Sequence, residues 1–360
     1  MSSRILPFLQ NTWYVAFWSG DLVPGAMLHR RIANVPILFF RREDGSVAAL
    51  MDRCSHRFAP LHRGKLLSGD RVQCGYHGLE FGADGRCVLN PYGTGNIPPA
   101  AHLRVFPVAE KHRLLWVWLG TNAADPGLIP DFSVLSTTAP EHVAKLDYIR
   151  INANIELVTN NLLDLSHTAF LHEGVHSNPD HVGAEIVVEE TTDTVTVSRI
   201  SPDVTIPGLM KLLVPHEMPR VEKWNRVTWF APGNLLLQSG VTKPGDGREV
   251  GTGIYGIHFL TPETDRTTHY HFTSARWNVQ TKPAANDHIM RQLSELRRYA
   301  FEYQDGPMIE TQQQLVDEAG DDERPVLLAI DSGPVKYRRI LTRLLDAEGS
   351  FVDHALVPTG

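Results

Sequence analysis

Cys54-Ser55-His56, then seventeen residues, then Cys74-Gly75-Tyr76-His77 is the stretch on which the reading of this chain turns. It offers two thiolates and two imidazoles in two matched clusters, each a Cys followed closely by a His. That inventory suits a two-iron, two-sulfur cluster in which two His replace two Cys on one iron. Neutral imidazoles leave less negative charge on the cluster than thiolates would, and so raise its potential. The competing reading is structural zinc, which also accepts two Cys and two His. Zinc ligand pairs usually run Cys-x2-4-Cys and His-x3-5-His, and neither pattern occurs in this stretch. Gly75 and Gly78 allow close backbone approach, so that amide N–H groups reach cluster sulfurs.

A cluster with this mixed ligation is a Rieske centre, and its surroundings read as a small β-domain. Val35-Pro36-Ile37-Leu38-Phe39-Phe40, the turn Glu43-Asp44-Gly45 and Val47-Ala48-Ala49-Leu50 predict a hairpin. Leu79-Glu80-Phe81, Ala83-Asp84-Gly85-Arg86 and Cys87-Val88-Leu89 repeat the pattern after the second ligand pair. The ligands therefore fall in two loops. Leu114 to Leu119 reads as the last strand, and Asn122-Ala123-Ala124-Asp125-Pro126-Gly127 as a boundary dividing residues 1–122 from 123–360.

Composition sets outer limits. A length of 360 residues suggests about two domains. A net charge of −7 argues against nucleic acid or an anionic membrane as partner. No apolar run is long enough to span a bilayer, and Met1-Ser2-Ser3-Arg4 opens no signal peptide. The expectation is a cytoplasmic protein. Of three Cys, two are assigned to the cluster; Cys87 is left as a thiol with no role, and a disulfide framework is excluded.

Beyond residue 123 the pattern changes. Asn154 to Phe170 has apolar residues at helical spacing and no Gly or Pro, which predicts one helix. Ile186-Val187-Val188, Thr194 to Val197, Val227 to Phe230 and Thr268 to Trp277 favour strands. Val204 to Pro219 reads either as a lid over a pocket or as a surface connection. Asn286 to Val316 reads as a helix that Gly306-Pro307 must bend or break, and Tyr337 to Ala347 as a short terminal helix.

A second metal site is suggested by Asp164-Leu165-Ser166-His167 and His172. On an undisturbed helix, residues five apart lie about 140° round the axis. His167 and His172 cannot both face one ion there, so the helix is predicted to unwind or bend between Thr168 and His172. Two His and one carboxylate with open positions is the facial triad of non-haem Fe(II) oxygenases. Asp305, Glu302 and Glu310 are the candidate carboxylates. A His-x4-His pair alone is weak, since most such pairs are surface or core residues; its weight comes from the upstream cluster, a one-electron carrier that needs an acceptor. Asp164 is read as orienting His167 or bridging to a cluster His, against the plainer reading of a solvated helix acid.

On these motifs the chain resembles the Rieske non-haem iron oxygenases, specifically the oxygenase components of the vanillate and dicamba O-demethylase group. Asn11 to Ala16, the Cys54–His77 motif, Leu115 to Trp118, Asn161 to His167 with His172, Ala231 to Asn234, Leu260 to Thr264 and Glu302 to Gln313 carry the resemblance in order. It implies an α+β protein, with an N-terminal all-β Rieske domain and a C-terminal helix-grip domain whose curved antiparallel sheet grips long helices. It implies Asp305 as the iron carboxylate and a head-to-tail homotrimer in which Asp164 bridges a cluster His and a neighbour's iron His. It implies Asn161 near the iron and His258 in the substrate pocket, though a buried strand His is the equal alternative there. Ser55 stands where the family often has Pro, and Phe58 follows Arg57; this bears on tuning or docking and leaves the ligands untouched.

The activity so implied is O2-dependent monooxygenation that demethylates an aromatic, methoxybenzoate-type substrate, using the Rieske 2Fe-2S cluster and mononuclear Fe(II). Ring hydroxylation and N-dealkylation are the near alternatives. No Gly-x-Gly-x-x-Gly follows a strand, so NAD(P)H is used indirectly, through a separate reductase or ferredoxin. Rivals of another class are an electron-transfer protein fused to a binding domain and a zinc-organised ligand-binding module.

Overall fold

Ten short strands carry the first third of the chain: Trp13–Trp18 (β1), Met27–Ile32 (β2), Val35–Arg41 (β3), Val47–Met51 (β4), Lys65–Leu67 (β5), Arg71–Gln73 (β6), Glu80–Phe81 (β7), Cys87–Leu89 (β8), Val108–Lys111 (β9) and Leu114–Trp118 (β10). The computed structural model describes residues 6–320, 323 and 325–352; the N-terminal stretch Met1-Ser2-Ser3-Arg4 lies outside them. The strands form sheets in the orders β1-β10-β9, β2-β3-β4 and β5-β6-β7-β8. Both predicted hairpins are present, as β3 against β4 and β7 against β8. β1 and β10 are buried at every position, as their continuous apolar runs require. Two hairpins turn without glycine. Ala33 and Asn34 link β2 to β3 with φ of 47° and 68°, and His112 and Arg113 link β9 to β10 at 56° and 64°. Positive φ at both central residues matches the right-handed twist of the strands.

Residues 10–129 and 261–264 make up this unit. The division falls after Ile129, beyond the 122/123 boundary read from the Asp-Pro-Gly signal. Asn122 N donates to Asn11 Oδ1 at 3.1 Å and Trp13 Nε1 to Asp125 O at 2.8 Å, which hold the intervening residues on the strands. Residues 261–264 belong here because Thr261 Oγ1 donates to Val15 O and Ala33 N to Pro262 O, each at 2.7 Å.

The second unit holds the described residues 6–9, 130–260 and 265–352. After a short helix, Val134–Thr137 (α1), come Asp147–Ile151 (β11) and Ile155–Leu163 (α2). Glu185–Glu190 (β12), Thr194–Thr205 (β13), Gly208–Lys211 (α3), Arg220–Phe230 (β14), Asn234–Thr242 (β15), Thr252–Thr264 (β16) and Thr267–Trp277 (β17) follow. The seven strands form one sheet in the order β11-β17-β16-β15-β14-β13-β12. Three helical stretches end the unit: Asn286–Tyr299 (α4), Gly306–Ala319 (α5) and Ser332–Val352 (α6). The core joins sheet and helices through Trp229, Tyr270, Phe272, Phe301 and Tyr337, with the Trp229 and Tyr337 rings edge-on at 4.9 Å. Half-buried Arg338 on α6 donates to buried Glu156 on α2 at 2.8 Å, and Leu6 N donates to the same carboxylate at 3.2 Å.

Three local expectations are corrected. The helix predicted over Asn154 to Phe170 ends at Leu163, before the predicted break between Thr168 and His172. Asn154 caps its start by accepting from Glu156 N at 2.8 Å, a contact worth about 1 kcal/mol. Its end is set by Asp164, whose Oδ1 accepts from Ser166 N at 2.7 Å and also from Ser166 Oγ, a local alternative to helical hydrogen bonds. Gly306-Pro307 does not break the long helix. A π-helical stretch, Ala300–Asp305, joins α4 to α5, and its wider turn takes up the missing proline N–H and the crowding of its ring. Val204 to Pro219 is no plain connection: β13 runs on to Thr205, and Ile206, Leu209, Met210 and Leu213 are buried in a core of their own.

Candidate active site

The two predicted cluster loops have the same wiring. Cys54 N donates to Ala59 O and Phe58 N to Cys54 O, each at 2.9 Å; Cys74 N donates to Leu79 O at 2.8 Å and Gly78 N to Cys74 O at 2.9 Å. Each loop turns on a residue with positive φ at the fourth place after its Cys, Phe58 at 58° and Gly78 at 72°. The loops meet backbone to backbone. A Cβ on Gly64 would lie 1.9 Å from Gln73 O, and one on Gly75 would lie 2.7 Å from Arg63 O. The loops bring Cys54 beside Cys74 and set the His56 and His77 rings 4.7 Å apart.

Burial pushes the Cys54 thiol up to about 11, and the neighbouring Cys74 adds to the rise, while backbone N–H groups of His56 and Arg57 act the other way. Two buried thiols in mutual contact are poor company as thiols and good ligands as thiolates, and N–H groups aimed at sulfur are what a cluster requires. Ser55 Oγ is buried there with no partner among the described residues. The donor set fits a mixed-ligand cluster. Cys87 stands apart, donating to Leu89 O at 3.5 Å. His29, Asp52 and His62 also cluster. Their imidazoles are stacked nearly parallel, 3.9 Å apart at 15°, and Asp52 is engaged by the ring and the N–H of His62. Parallel rings do not aim their lone pairs at one point, and this trio reads as an anchor for the end of the first loop.

In the second unit, the end of α2 and the π turn bring together His167, His172 and Asp305, whose ligand atoms lie within 4.8 Å of one another. Asp305 Oδ1 is 3.1 Å from His172 Nε2 and 3.6 Å from His167 Nε2. The tautomer of His172 follows from its neighbours. Gln304 Nε2 donates to Leu171 O at 2.8 Å, so its Oε1 is the atom left to accept from His172 Nδ1 at 2.9 Å. With Nδ1 held as a donor, Nε2 is the ring atom that faces the carboxylate oxygen. Two imidazole nitrogens and a carboxylate oxygen directed at one another are the donor set of a metal ion, with the outer ring nitrogen of His172 fixed by its partner. Asn161 Nδ2 holds Asp305 Oδ1 at 3.0 Å. The rival acids are engaged elsewhere: Glu302 pairs with Arg298 at 2.6 Å, and Glu310 accepts from Asn152 N at 2.8 Å.

Asp164 Oδ2 lies 3.6 Å from His167 Nδ1. Burial pushes the Asp164 carboxyl up, but His167 and Ser166 outweigh it and leave the group below the usual carboxylate range. It is therefore an anion beside the triad.

The triad opens on a cavity with about 860 Å3 of empty space, including its mouth. Leu209, Met210, Val227, Leu237, Ile254 and Phe301 form an apolar wall. His258 lines the cavity and is a buried strand residue. Its Nδ1 bonds the Tyr270 hydroxyl at 2.7 Å; burial, then the charge of Arg297, push its imidazole down to about 3, so it stays neutral. Sequence reasoning missed Gln304, His176, Lys223 and Arg297. The spacing of His176, four residues after His172, was a usable signal; nothing in the local sequence marks the two cations as buried.

The chain matches the Rieske [2Fe-2S] domain over residues 12–107 and the vanillate O-demethylase oxygenase C-terminal domain over residues 151–347. It is 33% identical to the oxygenase component of chloroacetanilide N-alkylformylase from Rhizorhabdus wittichii, over 95% of this chain and 97% of that one. It is 33% identical to the oxygenase component of dicamba O-demethylase from Stenotrophomonas maltophilia, over 96% of this chain and 100% of that one. The crystal structure of dicamba monooxygenase bound to dicamba superposes with a TM-score of 0.85 at 33% identity, covering 96% and 100% of the two chains. The paired Cys-His loops, the group His167, His172 and Asp305, and the cavity beside it thus occur on a chain that belongs to the Rieske non-haem iron oxygenases, among the oxygenase components of the vanillate and dicamba O-demethylase group.

Proposed function

We propose that this oxygenase removes the O-methyl group of a methoxybenzoate-type substrate. The observation that carries the reading is the triad of His167, His172 and Asp305 opening on an apolar cavity. Cys54, His56, Cys74 and His77 hold the 2Fe-2S cluster; His167, His172 and Asp305 hold Fe(II). When bound, the cluster supplies single electrons and the iron supplies O2 activation. Overall, an aryl methyl ether, O2, two electrons and two protons give a phenol, formaldehyde and water. One oxygen atom enters a methyl C–H bond, and the resulting hemiacetal collapses. The electrons come from NAD(P)H through a separate reductase. It docks at the exposed rim of Phe58, Tyr76 and Tyr92, beside the cluster His.

The chain's own residues do the positioning. Gln304 fixes the His172 tautomer, Asn161 fixes the Asp305 carboxylate, and the apolar wall excludes water from the reacting bond. The test is a panel of methoxybenzoates with a competent reductase and O2, assayed for formaldehyde and phenol in equal amounts. Formaldehyde from none of them removes the demethylase assignment. N-dealkylation is the second reading, favoured by the likeness to the N-alkylformylase component; N-methylanilines in the same assay separate the two.

Asp164 is assigned to the junction between subunits of a homotrimer, linking one subunit's cluster His to its neighbour's iron His. Asp164→Asn is expected to lower turnover about a hundredfold with both metal contents unchanged. Stopped-flow oxidation of the reduced cluster by O2 in the presence of substrate checks this: unslowed oxidation would place Asp164 outside the electron path.

A further inference from the structure

Lys223, on β14, lines the cavity and is 4% exposed. A lysine so buried needs a counter-charge or gives up its proton. Its polar contacts among the described residues are with neutral oxygens. Lys223 Nζ donates to His176 O at 2.6 Å. With the Asn225 amide turned so that both of its ends find partners, Asn225 Oδ1 accepts from Lys223 Nζ at 3.3 Å, while Asn225 Nδ2 donates to Ser239 Oγ at 2.6 Å and to Trp224 O at 3.1 Å. Two acceptors suit a neutral amine, which has two N–H groups and one lone pair. An ammonium would keep a third N–H that none of the described residues receives.

The surrounding charges act in the same sense. The titratable groups that act on Lys223 or feel its charge are Arg199 on β13 and His176 and His181 on the loop after α2, all of them bases. Arg199 is 4% exposed, and its Nη groups donate to two carbonyls, Leu165 O at 2.5 Å and His181 O. A guanidinium does not release its proton, so of these two neighbouring buried bases the lysine yields. Burial, then the charge of Arg199, bring the ammonium down to about 7. Desolvation in a pocket beside another cation is one of the ways a protein makes a lysine nucleophilic at neutral pH. Propping up the His176 carbonyl alone would be served by any neutral N–H or O–H.

We propose that Lys223 is a carbonyl-reactive amine that captures a small aldehyde, formaldehyde above all, as a covalent adduct on the cavity wall. The proposal rests on the demethylase reading for the source of that aldehyde, which is released in this cavity. The Nζ lone pair adds to the carbonyl carbon as the C=O π pair moves to oxygen, and one N–H proton passes to that oxygen. The resulting hemiaminal keeps its other N–H for His176 O. Loss of the new hydroxyl with that last proton, as water, leaves a methylene imine; addition of water returns the amine and the aldehyde. No oxidant or reductant takes part.

Reductive trapping on the iron-loaded holoenzyme, without reductase, tests it. The probe is formaldehyde at low dose and neutral pH, with cyanoborohydride to convert any imine to N-methyl-lysine, followed by peptide mass mapping. Exposed Lys65, Lys243 and Lys282 are the internal references. An amine that is largely neutral outruns an ordinary lysine, so Lys223 should be methylated at least about tenfold faster than any of the three. The preference should vanish when the same protein is labelled in denaturant, because the fold creates it. The visible cluster spectrum, recorded before trapping, reports that the labelled protein was native. Labelling of Lys223 no faster than the references, or a preference that persists in denaturant, overturns the proposal. The aldehyde is supplied from outside, so the readout needs no turnover. Formaldehyde from none of the methoxybenzoates sinks demethylation and leaves a labelled Lys223 standing. An enzyme that releases formaldehyde while Lys223 stays unlabelled sinks the capture site alone.

Discussion

Asp305→Ala is expected to abolish turnover and to lower the iron content from three to two per chain, while the visible spectrum of the iron–sulfur centre stays as it was. Removing a mere partner of a metal ligand typically costs 10- to 100-fold in affinity, and Asp305 is assigned as a ligand itself, so the loss should exceed about a hundredfold. The carboxylate supplies the only negative charge in the triad, and its Oδ1 is the point on which both imidazoles converge. Without it, two neutral nitrogens and the Asn161 amide remain, too few to retain Fe(II) in competition with water. Iron counting on anaerobically prepared protein, read beside the visible spectrum, checks the result. Retention of the third iron would move the ligand role to another acid. Glu302 and Glu310 would then have to leave their contacts with Arg298 and Asn152.

Gly64→Ala should destroy the other centre. Its Cβ would sit 1.9 Å from Gln73 O, a backbone atom of the neighbouring loop that cannot swing aside. Gly75 faces Arg63 O in the same way at 2.7 Å, so the two ligand loops can approach only where both carry hydrogen in place of a side chain. Relief must come from separating the loops, which moves the Cys54–His56 pair away from Cys74–His77. Overpacking of a rigid backbone contact costs about 3 kcal/mol or more. The variant should be recovered colourless or with its visible bands reduced at least tenfold; Gly69→Ala is the control, since a Cβ there meets only the end of the Arg71 side chain at 3.9 Å, although its φ of +71° adds strain. A red-brown Gly64→Ala protein with normal stability would show that the loops need not meet.

The legible parts of the chain were those written in local chemistry. Cys54-x-His56 and Cys74-x2-His77 marked the two loops proposed to hold the cluster, and the hairpins followed from alternation and turn residues. Glycine-free turns at Ala33-Asn34 and His112-Arg113 carried no such signal. Helix spacing over Asn154 to Phe170 was real only as far as Leu163, because the Asp164 side chain competes for backbone N–H groups and ends the helix. The Gly306-Pro307 pair announced a bend or a break; there is no break, because a π turn absorbs the proline and leaves Asp305 at its end.

By itself, the order of residues determined which donors exist and which metals suit them, since ligand type and number are properties of side chains. Only tertiary structure decided that Asp305 meets His167 and His172 while Glu302 and Glu310 do not, because chain segments more than a hundred residues apart have no register until they pack. It also decided that Lys223 and Arg297 lie inside. A charge on a strand or helix looks the same in sequence whether it faces water or a cavity, and only burial turns it into a demand for a partner.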